Sequence, residues 1–319
     1  MPVHFTVLAS GSAGNASLLL TNGFGLLLDA GLGQRLLTQR LAAAGFSWDQ
    51  VHAVLLTHTH SDHWKDTTFK HLYRQRIPLY CHVEHHQDLQ AYGQAFAKLQ
   101  QANLVHGYES GHPLSLAPGL CCRPLPLRHD GGPTFGFRVE MAGEFFGQPY
   151  ALGYAADLGS WNPELVGELT DVDLLALEFN HDVQLEYASG RSPYLIARIL
   201  GDEGHLSNGQ AGALLQEVLR RSAPGRLQHV VQLHLSRECN HPHLAAEAAR
   251  AILAGADWPI ELHTSCQDWP SPTLLLGAAT NGKAVYLEIP SPSARRPRPA
   301  TSIQLTLPGM SDEQPTATA

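Results

Sequence analysis

The chain has 319 residues, 44 % hydrophobic and 16 % charged, with a formal net charge of −8. That length accommodates one large α/β domain, and the acidic balance counts against a basic nucleic-acid-binding surface without excluding a nucleic-acid substrate, because bound divalent cations would reverse the local sign at a site. No run approaches the roughly 18 apolar residues of a membrane span. The opening MPVHFTVLASGS has neither a basic region nor a long apolar stretch, so a soluble, cytoplasmic protein is expected. Five cysteines (Cys81, Cys121, Cys122, Cys239, Cys266) form no C-x-x-C pair and read as reduced thiols.

In chain order, residues 4–9 predict a strand, followed by the turn SGSAGNAS and a second apolar run at 18–20. Asn22-Gly23 signals a tight turn before a strand at 25–28 that runs into Asp29. Apolar spacing over 34–44 predicts a helix stopped by Gly45. Residues 51–56 predict a buried strand, 66–76 a helix and 79–82 a short strand. Further strands are predicted at 123–127, 134–141, 150–155, 173–178 and 229–235. Helices are predicted near 193–200, at 208–221 with Ser207 or Asn208 as N-cap, and at 244–254. Two clusters of strands with helices between them predict two sheets packed face to face, helices outside. A last hairpin is expected over 273–289, and the Pro-, Ser-, Arg- and Thr-rich remainder from Pro290 predicts disorder. The expected organisation is therefore a catalytic domain at 1–266, a hairpin extension at 267–289 and a tail at 290–319.

The run Thr57-His58-Thr59-His60-Ser61-Asp62-His63 follows the buried strand directly. His58 and His60, two apart, can turn both rings toward one ion, while Asp62 and His63 can address a second. Imidazole and carboxylate suit Zn, Mn or Fe alike. The competing reading, a polar loop with surface histidines, is disfavoured by the position after a buried strand. Two ions need more ligands than one loop supplies, and His129, Asp157 and His234 stand at or near the ends of later strands. Each alone reads as an ordinary polar residue; as a set they are informative.

In this order of motifs the chain resembles the metallo-β-lactamase superfamily over residues 4–266. The resemblance implies a four-layer αββα sandwich and a two-metal site. It implies His58, His60 and His129 on the first ion, Asp62, His63 and His234 on the second, Asp157 between them and Asp29 in support. VLASGSAGNAS, the stretch Glu178-Phe179-Asn180-His181-Asp182, GRSPYL, GHLSN and HLSRECN are similar to the YycJ/WalJ-type branch, whose members are described as 5′→3′ DNA exonucleases. Cys239 departs from that branch's pattern, which places an Asn there.

A hydrolase with two divalent transition-metal ions is thus expected, with DNA as substrate. The alternative is a small phosphodiester, a lactone or a thioester on the same fold. Asp62, His181 and His205 are the catalytic candidates. Either histidine can protonate a leaving oxygen or be structural. Arg191, Ser207, Asn208, Ser236 and Asn240 are candidates for phosphate contact or for holding loops. His82, His85 and His86 are expected on an exposed helical face near Glu84 and Asp88, and His241 and His243 at the surface. In the tail, Gln304-Leu305-Thr306-Leu307-Pro308 resembles the short peptides by which bacterial replication and repair proteins dock on the DNA sliding clamp. Chance recurrence in a Pro/Thr-rich tail is the competing reading.

Overall fold

The computed structural model describes residues 3–142 and 149–276. The expected turn at Asn281-Gly282, the tail and the Gln304, Leu305 and Leu307 motif lie outside them. Six strands come first: β1 (Val3–Ala9), β2 (Ala16–Thr21), β3 (Phe24–Leu28), β4 (Ala53–Leu55), β5 (Leu79–His82) and β6 (Val105–Tyr108). Seven follow: β7 (Leu114–Ala117), β8 (Leu120–Leu127), β9 (Thr134–Met141), β10 (Tyr150–Ala155), β11 (Leu174–Glu178), β12 (His229–Leu233) and β13 (Glu261–Thr264). The last described strand, β14 (Leu274–Leu276), returns to the first sheet and pairs antiparallel with β1. The sheet orders are β14-β1-β2-β3-β4-β5-β6 and β13-β12-β11-β10-β9-β8-β7.

Both sheets follow one plan. A three-strand antiparallel meander (β1-β2-β3) passes into parallel pairs from β3 to β6 in the first sheet. In the second, β7 to β10 are antiparallel and β10 to β13 parallel. Parallel strands put their carboxyl ends, and the loops that follow, on one edge, where ligand sites form.

Three apolar layers give the four-layer αββα sandwich. Between the sheets, Phe5, Leu28 and Leu55 are buried with Phe137, Tyr154 and Leu233. Against the outer face of the first sheet pack α1 (Gln34–Ala43), α2 (Asp66–Gln75), α3 (His85–Tyr92) and α4 (Gln94–Gln101), through Leu37, Phe69, Leu89 and Phe96. On the second sheet lie α5 (Pro163–Leu169), α8 (Asn208–Arg221) and α9 (Pro242–Leu253), through Val166, Leu214 and Ala245. Two short helices, α6 (Val183–Ala188) and α7 (Pro193–Leu200), follow β11. No described helix is long and apolar enough to cross a membrane. All five cysteines are free.

Local chemistry explains most helix starts. Ser207 caps α8 in a reciprocal capping box with Gln210. Asn162 and Ser192 cap α5 and α7, each followed by a proline that needs no partner for its missing N–H. The same rule moves the start of α9 to Pro242, two residues before the sequence expectation. α2 ends one residue early because Arg76 turns left-handed at φ +57°.

One sequence expectation is corrected here. His82 ends strand β5 rather than lying on a helix, and both it and His86 are half-buried; His85 does not lie on an exposed helical face either: it is buried, and its Nε2 lies 2.8 Å from the Pro133 carbonyl oxygen. The ring packs between Tyr108 and Phe135 at the edge of the inter-sheet core, which a short run of polar residues did not signal. Asp88, one turn further along α3, accepts a 2.8 Å hydrogen bond from the Thr59 hydroxyl and so braces the histidine loop.

Candidate active site

The loop after β4 is held from below before it presents any donor. Asp29 follows β3 in the left-handed region, φ +62°, which a non-glycine residue occupies at a cost. Its carboxylate accepts the Thr57 backbone N–H at 2.8 Å and the Thr57 hydroxyl at 3.0 Å. It also lies 2.7 Å from His63 Nδ1, which fixes that ring with Nε2 as the outward nitrogen. Asn15, in the first glycine-rich turn, donates its backbone N–H to the Asp62 carbonyl at 2.7 Å and its side-chain amide to Asp62 Oδ2 at 3.2 Å. The loop runs so close to Gly31 that a Cβ there would sit 1.6 Å from the Asp62 carbonyl oxygen. Gly131 is required on the opposite side: its φ is +92°, and a Cβ would meet His60 Nε2 at 2.1 Å.

The second sheet supplies single residues. His129, just past β8, donates Nδ1–H to the Gly204 carbonyl at 2.8 Å and turns Nε2 toward His60 Nδ1, 3.3 Å away. Asp157 and His234, just past β10 and β12, are both left-handed, φ +60° and +54°. Asp157 Oδ2 lies 3.1 Å from His63 Nε2, and Oδ1 lies 3.3 Å from His234 Nδ1 and 3.9 Å from His129 Nε2. His234 Nε2 lies 3.4 Å from Asp62 Oδ2. Asp157 thus stands between the two halves of the cluster.

These residues fit divalent cations. His58, His60 and His129 bring one ligand atom each within 4.8 Å of one another, and so do Asp62, His63 and His234; His58, His63 and Asp157 form a third such group linking them. A buried atom at the centre, His58 Nε2, has no hydrogen-bond partner, which a folded interior tolerates poorly unless another ligand is taken. Burial pushes His58 well below the ordinary histidine range, with neighbouring His63 adding to it, and burial also lowers His60 and His129. Neutral imidazoles are what a metal requires. At Asp157 burial alone would raise the carboxyl, but His234 and His63 overcome it and hold it well below its usual range. His234 shows the converse: burial opposes charge, Asp157 and the ring's hydrogen bonds to Asp62 and Glu178 outweigh it, and the ring is pushed up to about 10.

Sequence reasoning gave no role to Glu178, which the structure places at the centre of the second half. The carboxylate is fully buried and lies 2.8 Å from His205 Nδ1 and 3.1 Å from His234 Nδ1. It accepts the Leu158 and Leu206 backbone N–H groups, both at 3.1 Å. His205 and neighbouring histidines hold it down to about 2 against burial. A lone glutamate ending the apolar run Leu174–Glu178 was the available signal, since a buried carboxylate needs partners. Asn15 carried only the weaker signal of a polar residue inside a glycine turn.

The cluster opens onto a cleft of about 500 Å³ whose wall includes Asp62, Asp157, His205, Arg191, Ser236 and Ser12. Arg191 is tethered at 3.0 Å to buried Glu186 and at 2.7 Å to Glu238. Arg198, also on the wall, pairs with Asp130. Ser236 accepts the Cys239 N–H at 3.1 Å. His181 is buried and is not part of the cleft wall. Ser207 is engaged in its cap, and Asn208 and Asn240 exchange side-chain hydrogen bonds at 2.9 and 3.0 Å beneath the cleft. His241 and His243 are exposed.

The profile of the beta-lactamase superfamily domain matches residues 25–224. The chain belongs to that superfamily. With the donor sets above, superfamily membership makes it a metal-dependent hydrolase. Exodeoxyribonuclease WalJ of Streptococcus pneumoniae serotype 2 (strain D39 / NCTC 7466) is 29 % identical over 254 residues, 79 % of this chain and 89 % of that protein. Exodeoxyribonuclease YycJ of Bacillus anthracis is 25 % identical over 283 residues, 85 % and 98 % of the two chains. Similarity over most of both lengths supports the YycJ/WalJ-type branch within that superfamily. The metallo-β-lactamase fold protein YhfI from Bacillus subtilis has the same fold, with a TM-score of 0.59 at 17 % identity, covering 86 % of this chain and all of that one.

Proposed function

We propose that this protein is a two-metal phosphodiesterase that shortens DNA from its 5′ end. The observation that carries the two-ion reading is Asp157, whose carboxylate lies 3.9 Å from His129 in one half of the donor cluster and 3.1 and 3.3 Å from His63 and His234 in the other, from a backbone conformation that costs energy to hold. His58, His60 and His129 would hold one ion and Asp62, His63 and His234 the other, Zn and Mn being the candidates and Fe a third. When bound, two such ions supply Lewis acidity toward water and toward a phosphate oxygen. The naming of the two exodeoxyribonuclease relatives supports DNA as the substrate class.

The chain's own residues supply the remainder. His205 lines the cleft with Nδ1 engaged by Glu178, which leaves Nε2 as the nitrogen able to hand a proton to the leaving oxygen. Asp62, between Asn15 and His234, is both a ligand and an acceptor for a proton of the attacking water. Arg191, pre-oriented by two carboxylates, and Ser236 contact the phosphate. Ser207, Asn208 and Asn240 hold the loops that carry His205 and His234, and His181 packs behind them. The Gln304, Leu305 and Leu307 motif would tether the enzyme to a sliding clamp. Binding of a peptide spanning residues 302–310 to the clamp tests that tether, and no binding at high micromolar concentration removes it.

Digestion of 5′- and 3′-labelled single- and double-stranded DNA with Mn²⁺ or Zn²⁺ tests the main reading. Early release of the 5′ label, lost in His60→Ala and Asp62→Ala, is expected. Hydrolysis of small phosphodiesters, lactones or thioesters without attack on DNA would replace DNA by a small-molecule substrate.

A further inference from the structure

At the other end of β12 from His234, three side chains converge that the catalytic cleft does not use. His229 starts β12, and Glu261 and His263 lie on neighbouring β13. In the parallel register Glu261 sits opposite His229, and His263 opposite Val231. Val231 and Leu233 belong to the inter-sheet core while Val230 faces the outer helices, so the alternation of β12 puts His229 on the inner face. The register puts Glu261 and His263 on the same face beside it. Five residues of strand separate this cluster from the catalytic edge, about 17 Å.

The distances are informative. Glu261 Oε2 is 3.4 Å from His229 Nδ1 and 3.5 Å from His263 Nε2. Both exceed the 2.7–3.2 Å of an ordinary N–H···O bond. They lie at or just above the ~3.3–3.4 Å ligand-to-ligand edge of a tetrahedron built on zinc bonds of about 2.0–2.1 Å. His229 is 5 % exposed at its side chain, and neither of its ring nitrogens has a hydrogen-bond partner; His263 Nε2 is likewise unpartnered. Burial pushes both imidazoles below the ordinary histidine range despite Glu261 beside them, toward the neutral form that a metal takes. Glu261 is 42 % exposed, which leaves one side of the triad open to solvent.

We infer that His229, Glu261 and His263 form a second, independent zinc site, a His₂Glu set with its fourth position open to water, that fastens edge strand β13 to β12. A buried imidazole, a half-buried one and a carboxylate are a donor set that zinc takes, and the ion would satisfy one ring nitrogen of each histidine, among those that the fold leaves without partners. Its role is structural: it lies at the amino-terminal edge of the parallel strands, away from the cleft. Zinc binding there to the folded chain alone would add stability by mass action.

Zinc per chain, measured by elemental analysis after equilibration with a micromolar zinc buffer, tests the site. The wild type is expected to carry one zinc more than the His229→Gln/His263→Gln double variant, with DNA hydrolysis the same in both. Glu261→Gln, at a partly exposed position that the fold tolerates, is expected to bind that ion about tenfold or more weakly. It decides the matter should the double variant fail to fold. Equal zinc content and equal affinity in wild type and Glu261→Gln would overturn the site.

Discussion

In the first sheet, one loop after β4 delivers His58, His60, Asp62 and His63 within six consecutive positions, whereas in the second sheet β8, β10 and β12 each deliver one residue. The supports differ in the same way. Asp29 steadies a single ring, His63, and the root of its loop through Thr57. Glu178 steadies two rings, His205 and His234, and two backbone N–H groups from separate loops. A compact loop needs little outside help to keep its donors in register, while donors scattered over three strands need a common buried anchor.

The contrast can be broken most sharply at the donors themselves. His58→Ala and Asp157→Ala each remove a central atom of the cluster, and steady-state hydrolysis is expected to fall by about 10²–10³-fold or more in both. An Asp157→Ala enzyme that kept its activity would show that the two halves work separately. His205→Ala comes next, with a fall in kcat of about 10²–10⁴-fold, the range for a general acid. His181→Ala, outside the cleft, is expected to lower the melting temperature while leaving kcat within a few-fold. Similar kcat losses in the two would mean that the cleft wall does not distinguish them.

The supports follow. Glu178→Gln and Asp29→Asn are each expected to cost about 10–100-fold in metal affinity or activity, with Glu178→Gln the larger because it loosens two rings. The reverse order, read by metal titration of the two variants, would contradict the anchor argument.

The smallest effect concerns stability near the histidine loop. Burial pushes His85 down to about 4 from an ordinary 6.5, so the unfolded chain takes up its proton first as pH falls. The stabilisation tied to neutral His85 is whole above about pH 6.5 and is lost as pH falls toward 4. The melting-temperature gap between wild type and His85→Asn is therefore expected to narrow between about pH 7.5 and about pH 5; a constant gap would place His85 in solvent.

The same asymmetry governs what could be read from the residues. The two-sheet layout and the long helix Asn208–Arg221 followed from periodicity and caps. The histidine loop was legible because its donors are contiguous, and His129, Asp157 and His234 only as an ordered set. Glu178 was hidden because in sequence it is the last residue of an apolar strand, and its partners lie 20 to 56 positions away. Helix α3 was anticipated only as an exposed face, because its neighbours are polar and nothing in the sequence marks His85 as packing in the core. Strand β13, half-buried along its length, lacks the apolar run that marks β11 and β12.

The proposed function requires donors from both sheets to hold two ions that share Asp157. Anomalous diffraction from crystals of the full chain loaded with Mn²⁺ tests it most directly. Two adjacent peaks are predicted in the cleft, one bonded by His58, His60 and His129, the other by Asp62, His63 and His234, and both touching Asp157. A single peak there, or two with no Asp157 oxygen between them, would contradict it.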